Sequence, residues 1–168
     1  MDTSGSDQRL KEFKKSPFVS RRQSKTAYWR FHATPEKLFP LLCPTREADW
    51  LEGTTHELVF TNSGYAEMDY IFRSGFFGLG EEIWVRFEHV ENRSLAYLRF
   101  STNVLVKFEI HLHDNYDGTV NTRWRVTYTS LNEKGNDVID ELPPELELDN
   151  IMESLQDYLD KGVRKVAA

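Results

Sequence analysis

The chain has 168 residues, of which 39% are hydrophobic and 29% charged, and this suits a single water-soluble globular domain. Its net charge of −6 disfavours a nucleic-acid-binding domain, and no apolar run approaches the length of about 18 residues that a membrane-spanning helix needs. Cys43 is the one cysteine, which excludes an intramolecular disulfide and makes a reducing cytoplasm the expected compartment.

The N-terminal segment differs from the rest of the chain in charge. Residues 1–25 carry seven basic and three acidic side chains, and Pro17 interrupts the short apolar pattern of Leu10 and Phe13. The segment also lacks the apolar stretch of a secretory signal. We therefore expect residues 1–24 to form a flexible basic arm and residues 25–168 to form the folded domain. Contact of the arm with an anionic lipid surface or a phosphate-rich partner is left open.

The predicted domain begins with a strand and two short helices. Residues 26–33 alternate between apolar and polar side chains, which predicts a strand with one buried face. Thr34 and Pro35 then supply an N-cap and a first helical residue, while Pro40 keeps this helix short. A second short helix is predicted over 45–51.

Six further strands are predicted from runs of alternating side chains. The alternation is clearest over 103–113 and 119–130, which a turn around Asp117 and Gly118 joins as a hairpin. The six predicted strands cover residues 56–62, 65–72, 81–90, 94–101, 103–113 and 119–130.

After Asn132 the apolar residues recur every three or four positions, which is typical of an amphipathic helix. Pro143 and Pro144 are expected to begin this helix, which runs to Lys161 before Gly162 ends it. A sheet with one apolar face needs cover for that face, and this helix can provide it. The predicted fold class is α+β, with a seven-stranded curved antiparallel sheet, two short helices and a long C-terminal helix.

Several local motifs accompany this order of elements. They are Phe31-His32-Ala33-Thr34-Pro35-Glu36-Lys37-Leu38-Phe39, Asp117-Gly118-Thr119 and Trp124-Arg125-Val126-Thr127-Tyr128-Thr129, followed by the closing helix. Over residues 25–163 the chain thereby resembles the START-like, or SRPBCC, superfamily, whose fold is called the helix grip. The stretch 42–50 resembles a bacterial branch of that superfamily without an assigned activity.

The resemblance implies a deep cavity between the sheet and the long helix. Members of the superfamily bind lipids, sterols, plant hormones or polyketides, and others are aromatase/cyclases, oxygenase domains, co-chaperones or toxin components. A shared fold fixes the position of a pocket and not its chemistry. The motifs of a named enzyme branch are not evident in the sequence, so no catalytic residue is assigned.

Large apolar side chains expected to face the closing helix are the candidate ligand contacts. An apolar cavity with a few hydroxyl groups is the usual form of a small-molecule site, and the alternative is that these side chains only fill the core. The candidate ligand-binding residues are Tyr70, Phe72, Phe87, Phe108, Trp124, Tyr128, Met152 and Leu155.

Arg99 and His89 are the candidates for chemistry inside the cavity. Alternation leaves the phase of the Arg99 strand open, and we expect Arg99 on the outer face of the sheet and His89 at its rim. His111 and His113 share the outer face without a third ligand, so neither a metal nor a cofactor is predicted. Cys43 is expected to be a small buried side chain and not a nucleophile.

Two further features allow two interpretations each. Glu47 follows Cys43 in the second short helix and is expected to cap a helix or to form an ion pair. Loop 75–80 contains three glycines, so it is either a mobile flap over the cavity mouth or a plain hairpin turn.

The sequence predicts a non-catalytic protein that binds a small hydrophobic molecule or lipid between the sheet and the C-terminal helix. One alternative is a polyketide cyclase/dehydrase-like enzyme, which would need an inward Arg or His to polarise a carbonyl or move a proton. A second alternative is a protein-interaction module, with a homodimer as one form. Nucleic-acid partners and an integral membrane segment are not expected.

Overall fold

The structure is a computed structural model that describes residues 17–75 and 78–163, so most of the predicted basic arm lies outside the described residues. The strands are β1 (Arg22–Phe31), β2 (Glu57–Phe60), β3 (Ile71–Ser74), β4 (Glu82–Val90), β5 (Ser94–Phe100), β6 (Val104–Asp114) and β7 (Val120–Ser130). The helices are α1 (Pro35–Leu38), α2 (Pro44–Trp50), α3 (Glu133–Asp140) and α4 (Asp149–Lys161), and a 3₁₀ turn over Phe39–Leu42 joins α1 to α2.

The strands form a seven-stranded antiparallel sheet in the order β1-β7-β6-β5-β4-β3-β2. Strands β2 to β7 follow one another as hairpins, while β1 lies at the opposite edge and pairs along the full length of β7. The curved sheet with its helices confirms the predicted α+β fold class. Strand β7 therefore lies between β6, its neighbour in sequence, and β1, the first strand of the chain.

Strand β1 begins at Arg22, inside the segment assigned to the arm. The backbone nitrogen of Arg21 already donates to Ser130 Oγ at 2.8 Å and to Asn136 Oδ1 at 3.1 Å. Sequence alternation misses this start because the side chains of an edge strand are mostly exposed, and polar residues suit both of its faces there.

The hydrophobic core lies between one face of the sheet and the helices. Helix α4 contributes Met152 and Leu155, which are buried in the same cluster as the sheet residues. Burying a side chain of this size contributes about 1.5–3 kcal/mol to folding. The inward residues of the sheet include Phe31, Tyr70, Phe72, Trp84, Leu95, Tyr97, Val106, Phe108, Ile110, Trp124 and Val126.

The predicted inward position of Phe87 is wrong. Glu82, Trp84 and Arg86 are the buried residues of β4, and the Lys107 ammonium of the outer face lies 5.4 Å from the Phe87 ring. A one-residue bulge between Arg86 and Glu88 then shifts the phase of the strand. Alternation identified two faces in β4, but both faces contain apolar residues, so the pattern did not determine which face is buried.

The C-terminal helix begins later than its pattern predicts. Helix α4 starts at Asp149, and the preceding residues Leu146 and Leu148 pack against the core without forming part of a helix. A separate helix, α3, begins after Asn132, whose side chain accepts a hydrogen bond from the Gly135 nitrogen at 2.9 Å. In the part of the chain that the structure describes, every helix is too short or too polar to cross a membrane.

Candidate functional site

A pocket of about 460 Å³ opens at the end of the core between the 3₁₀ turn and strand β4. The 3₁₀ turn and α2 form one wall, the segment before β3 forms another, and β4 forms the floor. The residues that line the pocket are Phe39, Pro40, Cys43, Thr45, Arg46, Gly64, Tyr65, Ala66, Arg86, His89 and Glu91.

Arg86 lies at the floor of this pocket and is 1% exposed. Its guanidinium carbon is 4.9 Å from the centre of the Tyr97 ring, and its Nη1 lies 2.8 Å from His89 Nδ1. Its Nε is buried and has no hydrogen-bond partner. Among the described residues, no carboxylate forms an ion pair with this guanidinium. Arg86 is therefore a buried cation that the protein only partly satisfies.

His89 is held in its neutral form beside Arg86. Burial lowers the pKa of His89, and the Arg86 charge lowers it further, although Glu91 opposes the shift. A guanidinium can only donate hydrogen bonds, so His89 Nδ1 must accept the one from Arg86. The imidazole proton is consequently on Nε2, which gives the site a second N–H donor.

Two tyrosines surround the Arg86 guanidinium. The Tyr70 hydroxyl is buried without a hydrogen-bond partner, and burial raises the pKa of Tyr70 to about 12. Burial likewise raises the pKa of Tyr97, and the nearby Arg86 charge partly opposes that rise. Both phenols therefore stay protonated at neutral pH and serve as neutral donors or acceptors.

Glu47 of α2 is an acidic residue whose charge interacts with that of Arg86. Burial raises the pKa of Glu47 to about 7, while the charges of Arg86 and Arg99 oppose that rise without cancelling it. The expected capping or ion-pair role is wrong, since among the described residues no ion pair or side-chain cap involves this carboxylate. At neutral pH, Glu47 neutralises Arg86 only in part.

Arg99 points into the core, and its predicted outer position is wrong. Its Nε and Nη2 donate to Glu82 Oε1 and Oε2 at 3.1 and 2.8 Å, with both side chains buried. The guanidinium also stacks over Trp84 at 4.6 Å. The bidentate pair satisfies both charges, so a charged residue can occupy a core position that a hydropathy pattern assigns to the surface.

A smaller pocket of about 270 Å³ lies between the sheet and the segment that leads into α4. Phe108 and Tyr128 from the predicted ligand set line it, together with Ile151 of α4. Lys25 is buried there, and burial lowers the pKa of its ammonium while Glu147 opposes the shift. Three large rings, Trp84, Phe108 and Trp124, pack against one another in the core through edge-to-face and tilted contacts and fill much of the space expected for a cavity.

The other predicted ligand residues are core residues. Tyr70, Phe72, Trp124, Met152 and Leu155 belong to the main hydrophobic cluster, and the 460 Å³ pocket is lined by other residues. Whether any of them touches a ligand stays a prediction.

The remaining candidates do not gather into a site. Cys43 is partly exposed at the wall of the 460 Å³ pocket, with its Sγ 2.8 Å from Thr45 Oγ1. Within the described residues, no group of three His, Cys, Asp or Glu side chains could hold a metal. Residues 76 and 77 of the predicted flap lie outside the described residues, and the predicted homodimer stays a prediction.

Sequence patterns missed Arg86 and Glu82 as interior residues. One feature pointed to the Glu82–Arg99 pair: Arg99 lies opposite Trp84, so the antiparallel register of β4 and β5 places Glu82 and Arg99 two positions apart, as a diagonal pair on one face. Nothing comparable indicated Arg86, whose partner is a histidine brought alongside by the bulge in β4.

Comparison with known proteins identifies the fold. A truncated norcoclaurine synthase from Thalictrum flavum matches with a TM-score of 0.65 and 11% identity, covering 87% of this chain and 98% of that one. Protein MLL2253 from Mesorhizobium loti matches with a TM-score of 0.59 and 14% identity, and Ara h 8.0201 with 0.57 and 13%, each covering 83% of this chain and 98% of the other.

Neither family models nor curated proteins give a match to the sequence. Identities this low establish shared architecture and leave ligand and reaction open. The element order, the sheet topology and these structural matches agree with one another: the chain has the helix-grip fold, as its sequence predicts.

Proposed function

We propose that the protein binds a small, largely apolar molecule in the 460 Å³ pocket. The observation that carries the proposal is a concave pocket with apolar walls and one buried cation, Arg86, at its floor. Ligand sites usually have volumes of about 300–1,000 Å³ and contain a few polar groups that orient the ligand within an apolar lining.

The volumes favour this pocket over the expected space between sheet and helix. The pocket beside α4 measures about 270 Å³, which is below the usual range for ligand sites, about 300–1,000 Å³. A larger groove of about 660 Å³ lies outside the core, but it is lined mainly by polar side chains such as Glu36, His113 and Asp114. Of these three pockets, the 460 Å³ pocket alone combines sufficient size, apolar walls and a buried charge.

The structural matches support binding of small molecules by this architecture. One norcoclaurine synthase structure is a complex with dopamine and hydroxybenzaldehyde, both of which are small aromatic compounds. Compounds of that size suit a pocket of about 460 Å³.

Filling each pocket in turn tests the proposal. Ala66→Phe places a ring in the 460 Å³ pocket, and Ile151→Phe is the matched change in the pocket beside α4. Species that co-purify with the wild type are identified by native mass spectrometry, and binding of 2-naphthamide is measured by calorimetry. We expect A66F to abolish binding and I151F to leave it unchanged. The reverse pattern would place the ligand between sheet and helix.

An enzyme of the polyketide cyclase/dehydrase type is a second candidate, because neutral His89 lies next to Arg86 in the pocket. Once the carbonyl oxygen of a ligand takes over the hydrogen bond of Arg86, His89 Nδ1 could accept a proton from the carbon beside that carbonyl, and the guanidinium could stabilise the resulting enolate. Deuterium exchange at the methyl group of 2-acetonaphthone, followed by NMR in D₂O, measures this chemistry. An exchange rate that His89→Gln does not lower would remove this candidate.

A further inference from the structure

We infer that the ligand is an organic anion, a carboxylic acid with an apolar body, and that Arg86 is the residue that binds its carboxylate. This inference rests on the proposed function, because it assumes that the 460 Å³ pocket is the binding site. It adds the chemical class of the ligand and the residue that selects it.

The charge balance of the core leaves Arg86 without a counter-ion. Glu82 is the fully buried carboxylate of the same strand, and both of its oxygens bind Arg99. An isolated buried charge is strongly unfavourable unless it is paired. Burial raises the pKa of Glu47 to about 7, so this carboxyl is only partly ionised at neutral pH and supplies only part of the missing negative charge.

The pocket floor contains more hydrogen-bond donors than acceptors. Arg86 offers N–H groups, with its Nε unpartnered, and it consumes the one acceptor of neutral His89. His89 Nε2 is then a further donor. A ligand that fits this floor brings acceptors and negative charge, which a carboxylate combines in one planar group.

Other charged groups around the pocket do not change this conclusion. Arg46 lies at the mouth, and its Nε donates to Asp49 at 2.6 Å, so this cation is already paired. Glu91 lines the pocket from an exposed position at the end of β4, where solvent screens its charge. The uncompensated charge is positive and lies at the buried end of the pocket.

The apolar walls favour a carboxylate over a phosphate. Phosphate sites in proteins gather several cations or backbone N–H groups around a dianion. This floor presents a single guanidinium and one neutral imidazole, and Phe39, Pro40 and Ala66 line the walls. One negative charge on an apolar body matches that arrangement.

A pair of isosteric probes tests the inference. The Kd of 2-naphthoate and of neutral 2-naphthamide is measured by calorimetry at pH 6.5, below the pKa of Glu47, and at constant ionic strength. The proteins compared are the wild type, Arg86→Met, Arg86→Lys and Arg46→Gln. R46Q is the matched control, because it removes an arginine from the same pocket at its mouth.

We expect the wild type to bind the acid about tenfold more tightly than the amide, a factor within reach of one charge-assisted hydrogen bond. R86M should lose this preference and R86K should keep part of it. R46Q should resemble the wild type. Circular dichroism checks that each variant is folded. If R86M is not folded, the inference is decided by the ratio of the two Kd values, amide to acid, in the wild type and in R86K.

The outcomes separate the two proposals. Equal affinity for acid and amide in the wild type would overturn the anion inference and leave the proposed function standing. A preference that survives in R86M and disappears in R46Q would also overturn it. Absence of binding by both probes up to millimolar concentration would overturn the proposed function, and the inference with it.

Discussion

The two halves of the inner face of the sheet differ in chemistry. Strands β1, β6 and β7 present mainly apolar residues, such as Val106, Ile110 and Trp124, to the core. Strands β4 and β5 present Glu82, Arg86 and Arg99 at equivalent depth. Apart from Lys25 in β1, the first half can be understood from hydrophobic burial. The second half places charges where they cost stability, which is expected of a binding site and not of a packing surface.

The apolar half should show the largest loss of stability on truncation. Trp124→Ala removes a buried ring that packs on Phe108 and whose Nε1 donates to Thr122 Oγ1 at 2.8 Å. We expect the free energy of unfolding to fall by about 3–5 kcal/mol, because the change leaves a cavity and removes the hydrogen bond to Thr122. Urea denaturation measures the loss. A folded W124A should keep the preference for acid over amide, and its loss would contradict the separation of the two halves.

In the charged half, breaking the buried ion pair should cost nearly as much. Glu82→Gln leaves the Arg99 guanidinium buried beside an uncharged group. We expect a loss of about 3–5 kcal/mol in the free energy of unfolding, the usual cost of removing one partner of a buried pair. The control is Glu57→Gln, the same change in the exposed pair with Arg73, which should have no measurable effect. Equal effects of both variants would show that burial of the pair does not matter.

Glu47 should make stability depend on pH in an unusual direction. Its pKa is about 7 in the folded protein against an ordinary value of 4.5, so the folded state binds its proton more tightly. The contribution of the protonated Glu47 carboxyl to the free energy of unfolding is fully present below pH 4.5. It is lost as the pH rises through 7, by up to about 3 kcal/mol. Glu47→Gln removes this loss. We therefore expect E47Q to gain stability over the wild type at pH 8 and to differ little at pH 4.5.

Urea denaturation at the two pH values measures this difference. The pH dependence of the stability difference should come from position 47, because both proteins share every other titrating group. A stability difference between E47Q and the wild type that is the same at both pH values would contradict the raised pKa of Glu47.

The smallest expected change in stability is a gain at Arg86. Arg86→Met replaces a buried cation without an ion pair by an apolar side chain of similar length. We expect the free energy of unfolding to stay constant or to rise by about 1–2 kcal/mol, since removing poorly compensated buried charge is often stabilising. A large loss would show that Arg86 supports the fold, and the contrast between the two halves would then weaken.

The apolar half was predictable from the sequence and the charged half was not. Alternation over β6 and β7 assigned Val106, Phe108 and Trp124 to the core correctly, because charged residues mark the other face of those strands. In β4 both faces contain large apolar residues, and its charged side chains have partners on strand β5 or across the bulge within β4. Local patterns carry no information on such contacts, so Arg86 and Arg99 were left out of the core.

The bulge in β4 determines which residue stands next to Arg86. With regular pairing, the residue two positions after Arg86 would share its face, and that residue is Glu88. The extra residue at the bulge turns Glu88 outward and brings His89 to the inner face instead. A carboxylate at that place would have closed an internal salt bridge. The one-residue insertion therefore leaves the cation free to recruit its counter-ion from outside the protein, so changes of strand length, and not only substitutions, should be able to switch ligand class in this scaffold.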